Sequence, residues 1–294
     1  MKNALLICGP TASGKSQLAH HLAKAHNGEI VNCDSMQIYN ETSIITASPN
    51  ANDIEEVQYH LYNFISITEN FTVIKYLKLA VEKIREISSR NKLPIIVGGS
   101  GLYVSSLLYG YNQIPEIDLI IKRNAKILQN ELGQIEFFEH LKNLDPIAGL
   151  RLNQNDKQRS LRAYEVWQQT RQSIFTFQQL DNILPLPEFN INVTFLNPER
   201  EQLYQTCNNR LEKIFNNGAI EEVQRLKTTL KPHHLNSIKP IGVQEILAYL
   251  NEDISLPQAL ALAQAKTRQY AKRQITWFKN QLKESKLIVL HPMF

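Results

Sequence analysis

The segment GPTASGKS near the start of the chain has the residue types and the spacing of a loop that binds phosphate groups. It fits the pattern G-x-x-x-x-G-K-[ST], with Gly9, Gly14, Lys15 and Ser16 in register. In such a loop the backbone amides, here those of residues 10 to 15, surround the anion together with a helix N-terminus. Lys15 would add a positive charge, and the Ser16 hydroxyl could bind Mg²⁺. The alternative is a glycine-rich turn that only precedes a helix.

Asp34 is the acidic residue that follows a predicted buried strand containing Ile30 and Val31. In many P-loop enzymes a further strand ends in an aspartate that helps to hold Mg²⁺, but the strand in PIIVGGSG ends in two glycines. The segment NKLP at 91–94 lacks the aspartate of the guanine-binding Asn-Lys-x-Asp pattern, which disfavours a switch GTPase. Asp34 therefore either acts on a metal ion or accepts a proton, unless it only caps the following turn.

Two arginines in the segment QRSLRAYEVW are spaced to share one face of a helix. Arg159 and Arg162 are three residues apart, and Gln158 lies beside them. A double-arginine face is typical of a phosphate contact, but Asp156 and Glu165 could equally pair with these arginines at a surface. The sequence leaves both interpretations open.

The length of 294 residues indicates roughly two domains. The composition, 43% hydrophobic and 20% charged, indicates a globular protein. The formal net charge of +4 is only mildly basic, so the distribution of charge says more than its total. Between Lys266 and Lys286 the chain has seven basic residues and one acid, Glu284. Such a cluster suits a polyanion, or forms an ordinary solvated helix face.

The cysteines and the hydropathy pattern disfavour several classes of protein. Cys8, Cys33 and Cys207 are far apart and lack C-x-x-C spacing, so they suggest buried reduced thiols rather than disulfides or a zinc site. No run approaches the roughly 20 apolar residues of a membrane helix. The chain starts Met1-Lys2-Asn3 and continues into a strand, which leaves no room for a signal peptide. We therefore expect a cytoplasmic protein without a membrane segment.

Strand and helix patterns alternate as far as about Gly110 and then stop alternating. This predicts an α/β fold, a P-loop NTPase-like parallel sheet whose ligands bind beyond the C-terminal strand ends. Residues 114–180 are helix-like throughout, so we expect an inserted all-helical domain there, within a core formed by 1–113 and 181–294. The predicted elements are strands within 4–8, 30–31, 95–97 and 191–196, helices at 17–25, 73–90, 200–215, 219–229, 242–250 and 257–283, and a last short strand in KLIVLHP.

Seven segments, in order and spacing, resemble the tRNA dimethylallyltransferase family, also called tRNA isopentenyltransferases. They are GPTASGKS, CDSMQIY, VGGSGLY, NDKQRSLRAYEV, NNRLEKIFNNG, IGVQE and TRQYAKRQITWF. The resemblance spans nearly the whole chain and is to the compact bacterial type, since the C-terminal zinc finger of the eukaryotic members is lacking. It implies a P-loop core that binds the diphosphate of dimethylallyl diphosphate rather than ATP.

The resemblance also implies the reaction and its partners. The family transfers the dimethylallyl group to the exocyclic amine of the adenosine immediately 3′ of the anticodon, in tRNAs that read codons beginning with U. The products are isopentenyladenosine and diphosphate. The expected partners are a tRNA anticodon stem-loop and dimethylallyl diphosphate, with Mg²⁺ as cofactor held by Ser16, no membrane, and a monomeric enzyme.

The family's functional residues carry over onto matching positions of this chain. Asp34 resembles the general base and acts with Lys15, Ser16 and Arg210, of which Arg210 matches an arginine near the diphosphate. The implied diphosphate-binding residues are Gly9, Pro10, Thr11, Ala12, Ser13, Gly14, Lys15 and Ser16. The implied tRNA-binding residues are Asp34, Ser35, Met36, Gln37, Ser100, Lys122 or its neighbour Arg123, Gln158, Arg159, Ser160, Leu161, Arg162 and Lys239. Ser100 stands where the family more often has threonine.

One segment departs from the family pattern, and two other functions remain as alternatives. Many members have an aromatic and a basic residue after the glycine where this chain has Gly242-Val243-Gln244, which weakens a cationic phosphate contact there unless Lys239 supplies it. A P-loop kinase for a nucleoside or small metabolite would leave the double-arginine segment unexplained. A non-catalytic RNA-binding protein would not need the intact Gly14-Lys15-Ser16 and Asp34.

Overall fold

Six parallel strands form one sheet in the order β3-β2-β4-β1-β5-β6, in a computed structural model that describes residues 1–282 and 287–292. The strands are β1 (Lys2–Cys8), β2 (Gly28–Asn32), β3 (Tyr59–His60), β4 (Leu93–Gly98), β5 (Phe189–Leu196) and β6 (Leu287–Leu290). The central strand β1 pairs with β4 on one side and β5 on the other. This confirms the predicted α/β class with a parallel sheet.

Residues 4–8 of β1 and the whole of β4 are apolar, which is typical of a parallel sheet with helices on both faces. Leu6 and Ile7 of β1 are each 1% exposed, and Ile95 and Ile96 of β4 are fully buried. Leu6 is paired with Ile96 in register. The carboxyl ends of β1, β2 and β4 therefore meet at one edge of the sheet, and the loops that follow them are neighbours.

The chain divides into two compact units, Met1–Leu108 with Pro185–Phe294, and Tyr109–Leu184. The predicted insertion, 114–180, lies within the bounds of the second unit. The described helices are α1 (Lys15–Ala25), α2 (Ala51–Glu56), α3 (Val73–Ser89), α4 (Gly101–Tyr109), α5 (Leu119–Leu144), α6 (Pro146–Arg151), α7 (Lys157–Thr170), α8 (Ile174–Phe177), α9 (Arg200–Ile214), α10 (Ile220–Thr229), α11 (Pro232–Leu235), α12 (Val243–Leu250) and α13 (Leu256–Gln281). A 3₁₀ turn (Asn40–Thr42) follows β2, and a π-helical turn (Phe215–Ala219) joins α9 to α10.

The second unit has an apolar core of its own, built between α5, α6 and α7. Phe137 and Leu141 of α5 are fully buried against Ala148 of α6 and Tyr164 of α7. Gly133 interrupts α5 with φ 75° and ψ 171°, a conformation that is essentially restricted to glycine. Gly133 therefore marks a break between two helical segments of α5.

The elements of the sequence prediction are present, with several additions. The strands within β1, β2, β4 and β5, the helix from Arg200, and the last short strand are confirmed. The short elements α2, β3 and α11 were not predicted. Part of the predicted basic cluster, Lys283, Glu284 and Lys286, lies outside the described residues. Across residues 1–282 and 287–292, no helix is long and apolar enough to cross a membrane.

Candidate active site

The loop between β1 and α1 has the backbone conformation that its glycines make possible. Gly14 adopts a left-handed conformation, φ 82°, at the N-terminus of α1, and Ala12 also has a positive φ of 61°. A Cβ at Gly9 would lie 2.8 Å from the Leu196 carbonyl oxygen, so only glycine fits beside β5. The buried Lys15 Nζ donates a hydrogen bond to the Pro10 carbonyl at 3.2 Å. The loop thus curls around its own lysine, as an anion-binding loop would.

The expectation that the amides of residues 10 to 15 all face an anion is wrong at its first two positions. Pro10 has no backbone N–H, and the Thr11 amide donates to Oε1 of Gln274 at 2.8 Å. The amides that this leaves for a ligand begin at Ala12. Thr11 contributes through its side chain instead, because it lines the cavity described below.

Two cations, Lys15 and Arg210, meet at this loop. Burial lowers the pKa of Lys15 from 10.5 to about 8, with the Asp34 carboxylate acting in the opposite direction and Arg210 adding to the decrease. Arg210, on α9, has a pKa lowered mainly by burial. Its guanidinium donates to Thr11 Oγ1 at 3.2 Å and to the Thr46 carbonyl at 3.0 Å. Neither cation has an ion-pair partner within 4 Å in the described chain, so both are poised for an anionic ligand.

Asp34 is held by a turn immediately after β2. Asn32 accepts from the Asp34 amide at 2.8 Å and donates to the Asp34 carbonyl at 3.0 Å. The carboxylate Oδ1 accepts from the Met36 amide at 3.0 Å, so Asp34 does cap the following turn, as one interpretation held. No hydrogen bond to Oδ2 occurs among the described residues, which leaves that oxygen available for chemistry.

The loop after β4 braces the turn that carries Asp34. The Ser100 hydroxyl accepts from the Ser35 amide at 2.8 Å and donates to the Ser35 hydroxyl at 3.0 Å. Gly98 is required here, because a Cβ would lie 2.0 Å from the Cys33 carbonyl oxygen. Ser100 is 9% exposed and is not among the cavity-lining residues, so its hydroxyl supports Ser35 rather than facing the cavity.

A cavity of about 450 Å³ in the first unit brings these groups together. The predicted site residues that line it are Thr11, Lys15, Ser16, Asp34, Ser35, Met36, Gln37, Arg210 and Lys239. One wall is apolar and consists of Ile45, Leu211, Ile214, Pro240 and Ile241. Gly9, Pro10, Ala12, Ser13 and Gly14 do not line the cavity and form the framework of the loop. The site therefore combines cations, a carboxylate and a hydrocarbon surface.

The departure from the family pattern at Gln244 has a structural account. Its side-chain amide donates to the Leu235 carbonyl at 2.7 Å and to the Ile238 carbonyl at 3.5 Å, so it braces the backbone just before Lys239. Gly242 has φ 104°, and its amide donates to Glu245, which also forms an ion pair with Lys266. Lys239 is exposed and lines the cavity, so it is the cation of this segment that a ligand can reach.

In the second unit, the predicted tRNA-binding residues of α7 point in different directions. The Arg159 side chain is 78% exposed and lies 3.4 Å from Asp156, and Arg162 is paired with Glu165 at 3.3 Å. Ser160 is fully buried and donates to the Asp156 carbonyl, while Leu161 packs against the unit's apolar core. As a side-chain contact to RNA, Ser160 is therefore excluded by burial. Leu161 is only partly buried, so it stays a prediction together with Gln158, Arg159 and Arg162. Lys122 of α5 is half-buried, and Arg123 is exposed.

The site also contains residues that the sequence analysis missed. Thr46 accepts from Arg210, and Cys207 lies 3.9 Å from the Thr11 carbonyl. On α13, Thr267 and Tyr270 line the cavity, and Gln274 accepts a hydrogen bond from the Thr11 amide in the loop between β1 and α1. The spacing of three and four residues places these on one helix face, and that spacing is the signal that could have identified them.

Fold and site together define an α/β protein with a P-loop-like core and a cavity suited to an anionic, partly apolar ligand. The IPP transferase family model matches residues 37–281. A tRNA dimethylallyltransferase of Rickettsia massiliae is 55% identical over 283 residues, which is 96% of this chain and 78% of that protein. One from Rickettsia canadensis is 55% identical, over 96% of this chain and 87% of its own length.

Solved structures agree with these matches. The full-length tRNA isopentenylpyrophosphate transferase of Bacillus halodurans is 30% identical with a TM-score of 0.69, over 99% of this chain and 90% of its own. A eukaryotic dimethylallyltransferase acting on tRNA is 25% identical with a TM-score of 0.81, over 98% of this chain and 74% of its own. The chain therefore belongs to the IPP transferase family.

Proposed function

We propose that this protein transfers the dimethylallyl group of dimethylallyl diphosphate to the exocyclic amine of the adenosine immediately 3′ of the anticodon. The tRNAs are those that read codons beginning with U, and the products are isopentenyladenosine and diphosphate. The observation that carries the proposal is the cavity in which Lys15, Arg210 and the Asp34 carboxylate share space with an apolar wall. The names of the relatives, tRNA dimethylallyltransferases at 50 to 55% identity, favour this reaction over a kinase.

Catalysis requires mainly stabilisation of the departing diphosphate, because negative charge accumulates on it as the carbon–oxygen bond breaks. Lys15 and Arg210 neutralise that charge from fixed positions, and the free amides at the N-terminus of α1 add hydrogen bonds. A single preorganised donor of this kind typically contributes about 3 to 4 kcal/mol to transition-state stabilisation. The prenyl chain lies along Ile45, Leu211 and Ile214, which exclude water from the reacting carbon.

Asp34 accepts the proton of the adenine amine as the new carbon–nitrogen bond forms. Its Oδ1 is held by the Met36 amide, so the Oδ2 oxygen takes the proton. The adenine must leave the stacked anticodon loop to reach this oxygen, at a cost of a few kcal/mol. General-base catalysis of this kind typically accelerates a reaction by about a hundred- to ten-thousand-fold.

The protein side chains at the site could hold Mg²⁺ only if the phosphates of the substrate supply further ligands. Among the described residues there is no group of three or more His, Cys, Asp or Glu side chains that could hold a metal. Mg²⁺ commonly keeps several waters and binds substrate phosphates with few protein ligands, so the exposed Ser16 hydroxyl at the cavity is a suitable ligand. When bound there, the ion would supply additional positive charge beside the leaving diphosphate.

Binding of the tRNA anticodon stem-loop is assigned to basic and polar groups of both units. The exposed Arg159, with Gln158 and Arg162, contacts phosphates from α7, and Lys239 contacts them from the first unit. We further propose that the enzyme is a monomer, as its resemblance to the bacterial members of the family implies. The buried thiols of its cysteines suit the reducing cytoplasm, where we place the reaction.

The test is a direct comparison of two donors. The protein is incubated with unmodified tRNA and Mg²⁺, with either dimethylallyl diphosphate labelled in its prenyl group or ATP labelled in its terminal phosphate. The proposal expects prenyl label on tRNA and none from ATP. A matched tRNA with guanosine in place of the target adenosine should take up no label. In a parallel incubation with free nucleosides in place of tRNA, transfer of phosphate from ATP to a nucleoside, without prenyl transfer to tRNA, would establish the kinase alternative instead.

A further inference from the structure

Gln274, on α13, is a buried amide that joins two loops of the site, namely the loop between β1 and α1, called the anion loop below, and the loop after β4. It is 5% exposed. Its Oε1 accepts from the Thr11 amide at 2.8 Å, and its Nε2 donates to the Gly99 carbonyl at 2.9 Å. Since a backbone N–H can only donate and a carbonyl can only accept, these two partners fix the orientation of the amide. The oxygen and the nitrogen of the Gln274 side-chain amide therefore bind different loops.

Each of those loops supports one functional group of the proposed reaction. At one end, Thr11 accepts from Arg210 through Oγ1 at 3.2 Å, so the Thr11 backbone helps to place the cation for the leaving group. At the other end, Gly99 precedes Ser100, which binds both the amide and the hydroxyl of Ser35 beside Asp34. Gln274 thus binds both the anion loop and the loop after β4, which in turn binds Ser35 beside Asp34.

The packing around Gln274 leaves little freedom for either loop. A Cβ at Gly99 would lie 2.4 Å from Gln274 Nε2, 3.1 Å from the Gly9 carbonyl oxygen and 3.5 Å from Asp34 Oδ2. The glycine therefore lets the two loops and the amide come within contact distance. A displacement of either loop would change the distance between the diphosphate site and Asp34.

We infer that Gln274 is a positioning residue that fixes the separation between the anion loop and the general base. The inference rests on the proposed prenyl transfer. Gln274 does not line the cavity, so it acts through Thr11 and Gly99 rather than on the substrates. Its loss should lower kcat more than it changes the KM for tRNA, because misplacement of reacting groups by about 1 Å can cost on the order of a hundredfold in rate.

Two substitutions separate the two ends of the amide. Gln274→Met keeps the approximate volume and loses both hydrogen bonds, and we expect kcat to fall by about ten- to a hundredfold with the tRNA KM within about twofold. Gln274→Glu can still accept from Thr11 but cannot donate to Gly99, and its negative charge should also raise the KM for dimethylallyl diphosphate. The control is Gln264→Met on the same helix, because Gln264 is half-buried and its hydrogen-bond partners among residues 1–282 and 287–292 are Asn208 and Glu212.

The outcomes distinguish the inference from the function. If the unsubstituted protein transfers no prenyl label, the proposed function fails. If it does and Gln274→Met has the same kcat, or loses kcat only as much as Gln264→Met, the inference is overturned. Should Gln274→Met not fold, amide hydrogen exchange at Thr11 in the unsubstituted protein decides. Protection of that amide supports the bond to Gln274, and exchange at the rate of an open loop refutes it.

Discussion

Replacing Lys15 with methionine should stabilise the protein while impairing its use of the donor. Burial places the pKa of Lys15 at about 8 in the folded protein, below its ordinary value of 10.5. Folding therefore disfavours the charged form of this side chain. The resulting penalty is complete below pH 8 and fades as the pH rises towards 10.5.

The size of the penalty follows from these two pKa values. Each tenfold change in proton affinity corresponds to about 1.4 kcal/mol, so the charged Lys15 costs about 3 kcal/mol of unfolding free energy at pH 7. At pH 9.5 the same relation leaves about 1.5 kcal/mol. Lys15→Met should accordingly be more stable than the unsubstituted protein by up to about 3 kcal/mol at pH 7, with roughly half of this gain at pH 9.5.

Urea unfolding without ligands, at pH 7 and at pH 9.5, measures both values by linear extrapolation. Lys78→Met is the matched control, since Lys78 is an exposed residue of α3 and its replacement should change stability by no more than about 0.5 kcal/mol at either pH. Prenyl transfer by Lys15→Met should fall sharply in parallel. Lower stability of Lys15→Met at pH 7, or a gain that is the same at both pH values, would refute the reasoning.

Three further substitutions test separate parts of the structure. Asp34→Asn should keep donor and tRNA binding but lower single-turnover transfer by about a hundred- to ten-thousand-fold, and a near-normal rate would remove Asp34 from the base role. Arg159→Ala should weaken tRNA binding and reduce the slope of log affinity against log salt by about 1, and filter binding with an unchanged slope would contradict a phosphate contact. Gly133→Ala meets no atom within 4 Å, so a loss of about 1 to 3 kcal/mol in urea unfolding would report backbone strain alone, whereas no loss would show that α5 can straighten there.

The parts of the fold that local sequence determines were predictable. The glycine loop, its preceding strand and α1 follow from neighbouring residues, and so does the position of Asp34 directly after β2. β3 has only two residues, too few for any periodicity. The helix α2 has a capping box between Asn50 and Asp53, a signal that the sequence analysis overlooked.

The contacts that complete the site could not be read from local patterns. Gln274 reaches Thr11 across 263 positions of the chain, and Arg210 reaches Thr46 across 164. Whether the Thr11 amide faces a ligand or a side chain depends on that distant helix. The burial of Ser160 in a segment that otherwise resembles an RNA contact depends likewise on how α7 packs against its own unit.

The pairing of β1 with β5 has a consequence for biosynthesis. β1 ends at Cys8, whereas its neighbour β5 begins at Phe189. A ribosome adds about 5 to 20 residues each second, so in a nascent chain β1 lacks its partner β5 for roughly 10 to 40 s. During that interval the backbone N–H and C=O groups on the β5 side of β1 are unpaired and open to other chains, so chaperone capture or aggregation during translation should depend on how quickly the ribosome reaches β5.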